Sequence, residues 1–226
     1  MKLLAIDSSG NQTSIALIFE DEILSCLKTH ARMERPNWNI LLEAVGINSH
    51  IKISDINIFA FGRGPGSYTG IRSLASFMKG LSWTQTKPLI GVSNLQSIAY
   101  QALAHVNENS ATKINVAIKS DLDEVYFCSY SNDSELEPQE EERVITYEEL
   151  ENSSLLNNVN EIYAGNGWDD SRVKLKSSKT FFNICSEAKS IAELAKIKFN
   201  ASDTFLPEDA NPVYLKDTNY KKIAND

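Results

Sequence analysis

Residues 56–72 have the sequence INIFAFGRGPGSYTGIR, in which an apolar run leads into a glycine-rich turn and then into a helical pattern. The run at 56–61 has the length and the side chains of a buried strand. After the turn, apolar residues recur at helical spacing, and they are Ile71, Leu74, Ala75, Met78 and Leu81. The stretch therefore predicts a strand, a turn and a helix over 70–85, which is the connection typical of an α/β fold.

The glycine-rich turn has two possible roles. A strand, a glycine loop and a helix N-terminus can present backbone N–H groups to a phosphate. The stretch matches neither GxxxxGK[ST] nor GxGxxG, and no lysine follows at the helix start. We favour a structural role, in which glycines permit positive φ or close backbone approach, a hydroxyl caps the helix and an arginine braces the turn. The residues of this structural turn are Gly64, Pro65, Gly66, Ser67, Thr69, Gly70 and Arg72.

The rest of the first half adds strands and helices around this stretch. Three β-rich runs at 3–6, 13–19 and 23–28 are separated by turn residues and predict an antiparallel meander. Asn39 is a candidate cap for a helix that follows the meander. Apolar patterns further on predict a strand at 88–92 and a helix at 94–103.

The second half begins in the same way as the first. A strand at 114–118 is followed by a turn and a returning strand at 125–130, and Ala5-Ile6-Asp7-Ser8 aligns with Ala117-Ile118-Lys119-Ser120. A tetrapeptide match can arise by chance, so the order of the elements carries most of the inference. We interpret the chain as a duplicated, strand-rich α/β unit.

Further elements extend the second half. Thr146 and Glu149 form a capping box for a helix running to 156, and 161–164 is another strand. Ser186 is a candidate cap for a last helix. We therefore expect a first lobe at 1–105, a second lobe at 106–205, and a C-terminal segment, 206–226, that packs back on the first lobe.

Composition narrows the classes of function. The 226 residues carry a formal net charge of -8, which argues against a chain that grips nucleic acid unaided. The three cysteines are far apart and form no CxxC pair, so a reducing cytoplasm is the simplest location. No apolar stretch predicts a signal peptide or a membrane span. The acidic run at 133–143 is interpreted as a solvated loop.

Candidate catalytic residues are few. The three histidines show no helical pair that would hold a metal, and no G-x-S-x-G is present. Asp7 follows the first strand, where it is either an Asx-turn residue or an acid facing a metal-nucleotide complex. Its counterpart is Lys119, so the paired acids of phosphoryl transfer are not evident. The Gly-Asn-Gly-Trp at 165–168 is most simply an ordinary turn.

Five segments carry a resemblance to a known family. LLAIDSS at 3–9, FGRGPGSYTGIR at 61–72 and IKSDLDEVYF at 118–127 are followed by GNGW and NPVYLKD, in this order over nearly the whole chain. Together they resemble the TsaB (YeaZ) family, the small paralogues in a group once labelled glycoprotease-like. The resemblance implies an actin-like ASKHA (ribonuclease H-like) fold of two similar lobes.

The resemblance also implies a function and a set of partners. Such proteins take part in forming N6-threonylcarbamoyladenosine at position 37 of tRNAs that read codons beginning with A. They are non-catalytic and pair with the transferase TsaD, with the ATPase TsaE as a further component, and they can also form homodimers. ATP and metal are then expected in the partner subunits, with no cofactor on this chain alone, no membrane contact, and tRNA reached only through the complex.

The departure from the catalytic paralogue supports this division of labour. TsaD-like proteins carry HxxxH on an early helix to hold the metal, and the corresponding residues here, 32–42, contain no histidine. The resemblance places the partner surface on the helices at 39–45 and 70–85, and it leaves at most a vestigial nucleotide site at Asp7 and Ser8. Candidate interface residues are Ile40, Leu41, Leu42, Val45, Ser73 and Phe77. A metallopeptidase and an ASKHA-type ATPase or kinase remain the alternatives.

Overall fold

Two five-stranded mixed sheets organise the chain, one in each half of the sequence. The computed structural model describes residues 1–20, 22–30, 36–106, 113–120, 122–133, 136–201 and 204–216. In the first sheet the strand order is β3-β2-β1-β4-β5. These strands are β1 (Lys2–Asp7), β2 (Gln12–Phe19), β3 (Glu22–Thr29), β4 (Ile58–Gly62) and β5 (Leu89–Val92).

The second sheet repeats this arrangement. Its strand order is β10-β9-β6-β7-β8, with β6 and β7 as an antiparallel pair and β9 parallel to β6. In the first sheet β1 and β2 are likewise antiparallel, and β4 is parallel to β1. The strands of the second sheet are β6 (Lys113–Lys119), β7 (Glu124–Ser131), β8 (Arg143–Thr146), β9 (Ile162–Ala164) and β10 (Thr180–Phe181). The chain therefore has two similar strand-rich lobes.

In the described part of the chain, five α-helices cover the sheets, and two of these helices pack on the sheet of the other half. Helix α3 packs on β6, β7 and β9 of the second sheet, whereas α5 packs on the strands of the first sheet. The two helices also pack on each other. The helices are α1 (Trp38–Ala44), α2 (Tyr68–Gln85), α3 (Asn94–Leu103), α4 (Tyr147–Asn152) and α5 (Ala188–Ala201).

The hydrophobic core has three parts because each sheet is covered on both faces. The central part lies between the sheets, where Leu95 and Ile98 of α3 meet Ile191 and Leu194 of α5. An outer part packs α1 and α2 on the other face of the first sheet. The third packs the region of α4 and Trp168 on the second sheet. Buried apolar surface of this kind is the main stabilising term of the fold.

Most predicted elements are present. The meander is confirmed by the β1–β2 and β2–β3 pairings, and the helix at 94–103 has the predicted bounds. The Thr146–Glu149 capping box is also confirmed. Strands β8 and β10 were not predicted, because both are short and one has only two residues.

Three predicted helix boundaries were wrong. Asn37 caps α1 through the Ile40 amide, whereas Asn39 lies inside the helix. Helix α4 ends at Asn152 and is followed by a separate 3₁₀ turn, so it does not run to 156. Helix α5 begins at Ala188, and the Glu187 carbonyl accepts from the Ile191 amide, so Glu187 stands at the cap position predicted for Ser186.

The acidic run is only partly a solvated loop. Leu136 is fully buried in the central core, and Pro138 forms an isolated bridge with Tyr130 of β7. Glu142 accepts from Arg63 of the first lobe at 3.2 Å. The run therefore contributes both to the core and to a link between the lobes. Residues 134–135 lie outside the described part of the chain.

The C-terminal segment lies against the first lobe as far as residue 216. Ala210 joins the outer core of the first sheet, the Val213 amide donates to the Arg63 carbonyl at 2.8 Å, and Tyr214 contacts the Tyr68 ring. Lys216 forms an ion pair with Glu124 of the second lobe. The predicted lobe boundaries stay a prediction, and 217–226 lie outside the described residues. None of the helices described is long and apolar enough to cross a bilayer.

Candidate functional site: the cleft between the lobes and an exposed helical face

A cavity of about 1090 Å³ lies between the two lobes. It is formed where the loops after β1 and β6 face each other, because both strands end at the same side of the molecule. The first lobe contributes Asp7, Ser9 and the turn at 65–68, and the second contributes Lys119, Ser120 and Asn166. The C-terminal residues Val213, Tyr214, Leu215 and Lys216 line it as well.

Asp7 is the buried acid of this cavity. It ends β1, is only 3% exposed, and accepts hydrogen bonds from the Ser9 hydroxyl and the Asn94 amide, both at 3.1 Å. Burial raises the pKa of its carboxyl to about 6, although the two hydrogen bonds favour the charged form. Asp7 is therefore a carboxylate at neutral pH that takes up a proton in mild acid. The neighbouring Ser8 hydroxyl is hydrogen-bonded to Thr13 at 2.9 Å.

Asn94 joins Asp7 to the glycine-rich turn, a role that the sequence analysis missed. Its side-chain nitrogen donates to Asp7, its side-chain oxygen accepts from the Gly64 amide at 2.9 Å, and its own amide donates to the Gly64 carbonyl. Gly62 leaves the space for this contact, since a Cβ there would overlap Oδ1 of Asp7. The only signal in the sequence was an asparagine at the first position of a predicted helix.

The glycine-rich turn packs directly against the loop after β1. The Ser67 amide donates to the Ser9 carbonyl at 2.7 Å, and a Cβ on Gly66 would come within 2.5 Å of that same oxygen. A Cβ on Gly70 would lie even closer to the Ser8 carbonyl. The start of α2 is thus closely covered by backbone carbonyls, an environment that suits a rigid turn better than a phosphate cradle.

The remaining residues of the predicted turn divide into structural and exposed positions. Ser67, and not Thr69, caps α2 by accepting from the Gly70 amide. Gly64 has a φ of 105°, which is the left-handed region that glycine tolerates best. Pro65 is buried, whereas Thr69 and Arg72 are exposed on α2.

The arginine that braces the turn is not the one predicted. The Arg72 guanidinium makes no hydrogen bond or ion pair with any residue in the part of the chain that the structure describes. The brace is Arg63, which pairs with Glu142 and whose carbonyl accepts from Val213. The prediction was wrong because the partner of Arg63 lies in the acidic run of the other lobe, far away in sequence.

The second-lobe counterpart of Asp7 is exposed. The Lys119 amide donates to Asn166 at 2.9 Å, and its ammonium donates to the Asp169 carbonyl at 2.8 Å. Trp168 is buried, and its indole nitrogen donates to the Asn115 carbonyl. The Gly-Asn-Gly-Trp stretch is therefore a turn with a core tryptophan. Among the described residues, no three His, Cys, Asp or Glu side chains are close enough to hold a metal ion.

The predicted partner surface is partly buried within this chain. Leu41, Leu42 and Val45 belong to the outer core of the first sheet, so these three candidate interface residues are buried. They point inward because α1 lies flat on β2 and β3. The structure does expose Ile40 and Ser73.

Phe77 lies at the edge of the same face. It is half-buried and stacks on Trp38 with 4.9 Å between the ring centroids. Ile40 is 53% exposed. The exposed part of this face, which we call the helical face, consists of Trp38, Ile40, Ser73 and Phe77. Residues 32–35, the first part of the stretch without histidine, lie outside the described residues.

Two similar lobes with exchanged helices and a cleft at the strand ends define a two-lobed, actin-like α/β protein. The family model described as TsaD, tRNA N6-adenosine threonylcarbamoyltransferase, matches residues 28–210. The chain belongs to this family and, within it, to the TsaB (YeaZ) group.

Relatives match over almost their full length. The tRNA threonylcarbamoyladenosine biosynthesis protein TsaB of Escherichia coli is 28% identical, with 96% of this chain and 95% of the relative covered. The protein of the same name from Haemophilus influenzae is 29% identical, with 99% and 97% covered. The solved structure of YeaZ from Pseudomonas aeruginosa has a TM-score of 0.82 at 27% identity, with 95% and 99% covered.

Proposed function

We propose that this chain is a non-catalytic subunit of the complex that forms N6-threonylcarbamoyladenosine at position 37 of tRNAs reading A-starting codons. The observation that carries the proposal is the near full-length match to proteins named for this biosynthesis. In this role the chain acts as a scaffold or activator in the cytoplasm, paired with a TsaD transferase and working with the TsaE ATPase. ATP, metal and tRNA belong to the partners.

The residues of the cleft favour a non-catalytic role for this chain. Phosphoryl transfer in two-lobed ATPases needs acids that act together on a metal-nucleotide complex. Here one acid, Asp7, faces a lysine, Lys119, at the matching position of the other lobe. The start of α2, where a phosphate could bind, is covered by the carbonyls of Ser8 and Ser9.

The helical face is the surface we assign to the transferase. Ile40 and Ser73 are exposed and Phe77 is partly so, and they lie on two helices that pack together over the first sheet. Apolar residues surrounded by polar ones are typical of a partner surface. The buried residues Leu41, Leu42 and Val45 would act from behind by holding α1 in place.

Reconstitution tests the function directly. The purified chain is combined with its TsaD paralogue, TsaE, ATP, threonine, the carbamoyl-adenylate-forming enzyme and tRNA, and the modified nucleoside is quantified. We expect modification to depend on this chain. Equal modification without it would contradict the proposal.

Charge substitutions test the surface. Ile40→Glu should weaken co-purification with the transferase by at least about tenfold, because a carboxylate would be buried in an apolar contact. Val159→Glu is the matched control, since Val159 is 57% exposed but lies in the second lobe. Equal binding by both variants would move the partner surface elsewhere.

A further inference from the structure

The C-terminal segment follows helix α2 from its middle to its start. In the middle of α2, the Lys79 ammonium donates to the Glu208 carbonyl at 3.2 Å and to the Asn211 side chain at 2.8 Å. Further along the segment, the ring of Tyr214 lies on Tyr68, the first residue of α2, with 4.8 Å between the ring centroids. The segment therefore runs alongside α2 and reaches the end at which this helix begins.

At this end the segment is also attached to the glycine-rich turn. The Val213 amide donates to the Arg63 carbonyl at 2.8 Å. A Cβ on Gly64 would come within 2.7 Å of the Val213 carbonyl, so the two backbones are in close contact. A backbone hydrogen bond, close packing and a ring contact together hold the segment on the first lobe.

The segment then passes along the cleft to the second lobe. Residues 213–216 line the cavity between the lobes. The Lys216 ammonium lies 2.5 Å from the carboxylate of Glu124, the first residue of β7. Residues 211–216, which we call the strap, therefore connect the start of α2 with the second sheet.

The two ends of the strap are held by different forces. On the first lobe the contacts are a backbone hydrogen bond and packed side chains, which dissolved salt affects little. On the second lobe the Lys216 and Glu124 side chains are 30% and 36% exposed. An ion pair with this exposure is weakened by salt. The second-lobe end is therefore the one that a change of charge or of ionic strength can release.

We propose that the strap is a regulatory device that couples the second lobe to the partner surface on α2. While Lys216 holds Glu124, the strap keeps the first turn of α2 in place, and release of the pair loosens this turn. Ser73 and Phe77 of the helical face follow on the same helix, within about three turns of its start. The link to a partner rests on the proposed function, whereas the coupling inside the chain does not.

Hydrogen exchange tests the coupling in the isolated full chain. The reporters are the Val213 amide, which donates to the Arg63 carbonyl, and the Ser67 amide, which donates to the Ser9 carbonyl just before α2. We expect Glu124→Gln to speed the exchange of both amides by about threefold at low salt, because local opening becomes more frequent. Salt should speed the exchange in the wild type and have a smaller effect in E124Q, a pattern that a merely structural Glu124 would not produce.

Two further variants complete this experiment. Glu140→Gln is the matched control, because Glu140 forms an ion pair with Arg143 at 3.0 Å, within the second lobe. Tyr214→Ala removes the ring contact at the other end of the strap and should speed the exchange of the Val213 amide at least as much as E124Q. Thermal unfolding verifies that all three variants fold. Unchanged exchange in E124Q would overturn the coupling, and so would an equal change in E140Q.

Titration of the TsaD transferase against each variant tests the link to the partner. E124Q should bind about threefold more weakly than the wild type, since the coupling cannot exceed the contribution of the ion pair. E140Q should bind like the wild type. Faster exchange in E124Q with unchanged affinity would overturn the regulatory role. A wild-type chain that does not bind the transferase would contradict the proposed function, while the exchange rates would still decide whether the strap couples the second lobe to α2.

Discussion

The loops after β1 and β6 occupy equivalent places in the two lobes, but they bury different chemistry. The first loop starts from an acid, Asp7, that is enclosed by Asn94 and the glycine-rich turn. The second starts from Lys119, which lies at the surface and bonds to a backbone carbonyl. The first loop is fixed by close backbone packing, whereas the Lys119 ammonium contributes one hydrogen bond at the surface. A substitution at the start of each loop should therefore change the stability by different amounts.

The close packing of the first loop against α2 gives the largest expected change in stability. Gly70→Ala should lower the free energy of unfolding by about 4 kcal/mol, because its Cβ would overlap the Ser8 carbonyl. Gly80→Ala, in open space on the same helix, should raise it by about 1 kcal/mol. Urea unfolding measures both values. A mild effect at Gly70 would show that the loop and α2 can separate.

The buried acid gives the second prediction. Because the pKa of Asp7 is about 6 in the folded state and 3.8 as a model value, the folded protein binds the extra proton between these limits. Stability therefore falls as pH rises through this window, by up to about 3 kcal/mol, and the loss is complete above it. Asp7→Asn should remove this slope and leave the protein as stable as the wild type or more so at pH 7.5.

The measurement for Asp7 is the difference between wild type and variant. Urea midpoints at several pH values between 4 and 8 cancel the titration of the other groups. An unchanged difference across the window would mean that the carboxyl is not desolvated in the folded protein.

Substitution of the exposed Lys119 should give the smallest change in stability. Lys119→Met should change the free energy of unfolding by no more than about 0.5 kcal/mol, because the ammonium is solvent-exposed and makes one hydrogen bond. The same urea experiment detects it. A loss above about 2 kcal/mol would show that the second loop depends on this side chain, and the contrast between the lobes would fail.

Local patterns predicted the secondary structure well. The helix at 94–103 and the β1–β2–β3 meander could be predicted because apolar spacing and turn residues act over short distances. The capping box at Thr146 is equally local. A predicted helix boundary was wrong where two candidate cap residues lay close together, as with Asn37 and Asn39.

Contacts between distant parts of the chain could not be predicted. The roles of Asn94 and Arg63 depend on partners that are brought close only by the packing of the two lobes. The burial of Leu42 depends on how α1 lies on its sheet, since the helical pattern alone fits both a core and a surface position. The burial of Leu136 could not be predicted either, because the acidic residues around it indicate a solvated loop.

The exchange of α3 and α5 has a consequence for the order of folding during synthesis. All five strands of the first sheet are made before residue 93, yet the helix that covers their inner face begins only at Ala188. Until α5 leaves the ribosome, Leu3, Ala5, Ile58 and Ala60 have no helix over them. The N-terminal half therefore reaches its native core only when the chain is almost complete, and the emerging sheet is the part most exposed to aggregation and to chaperone capture.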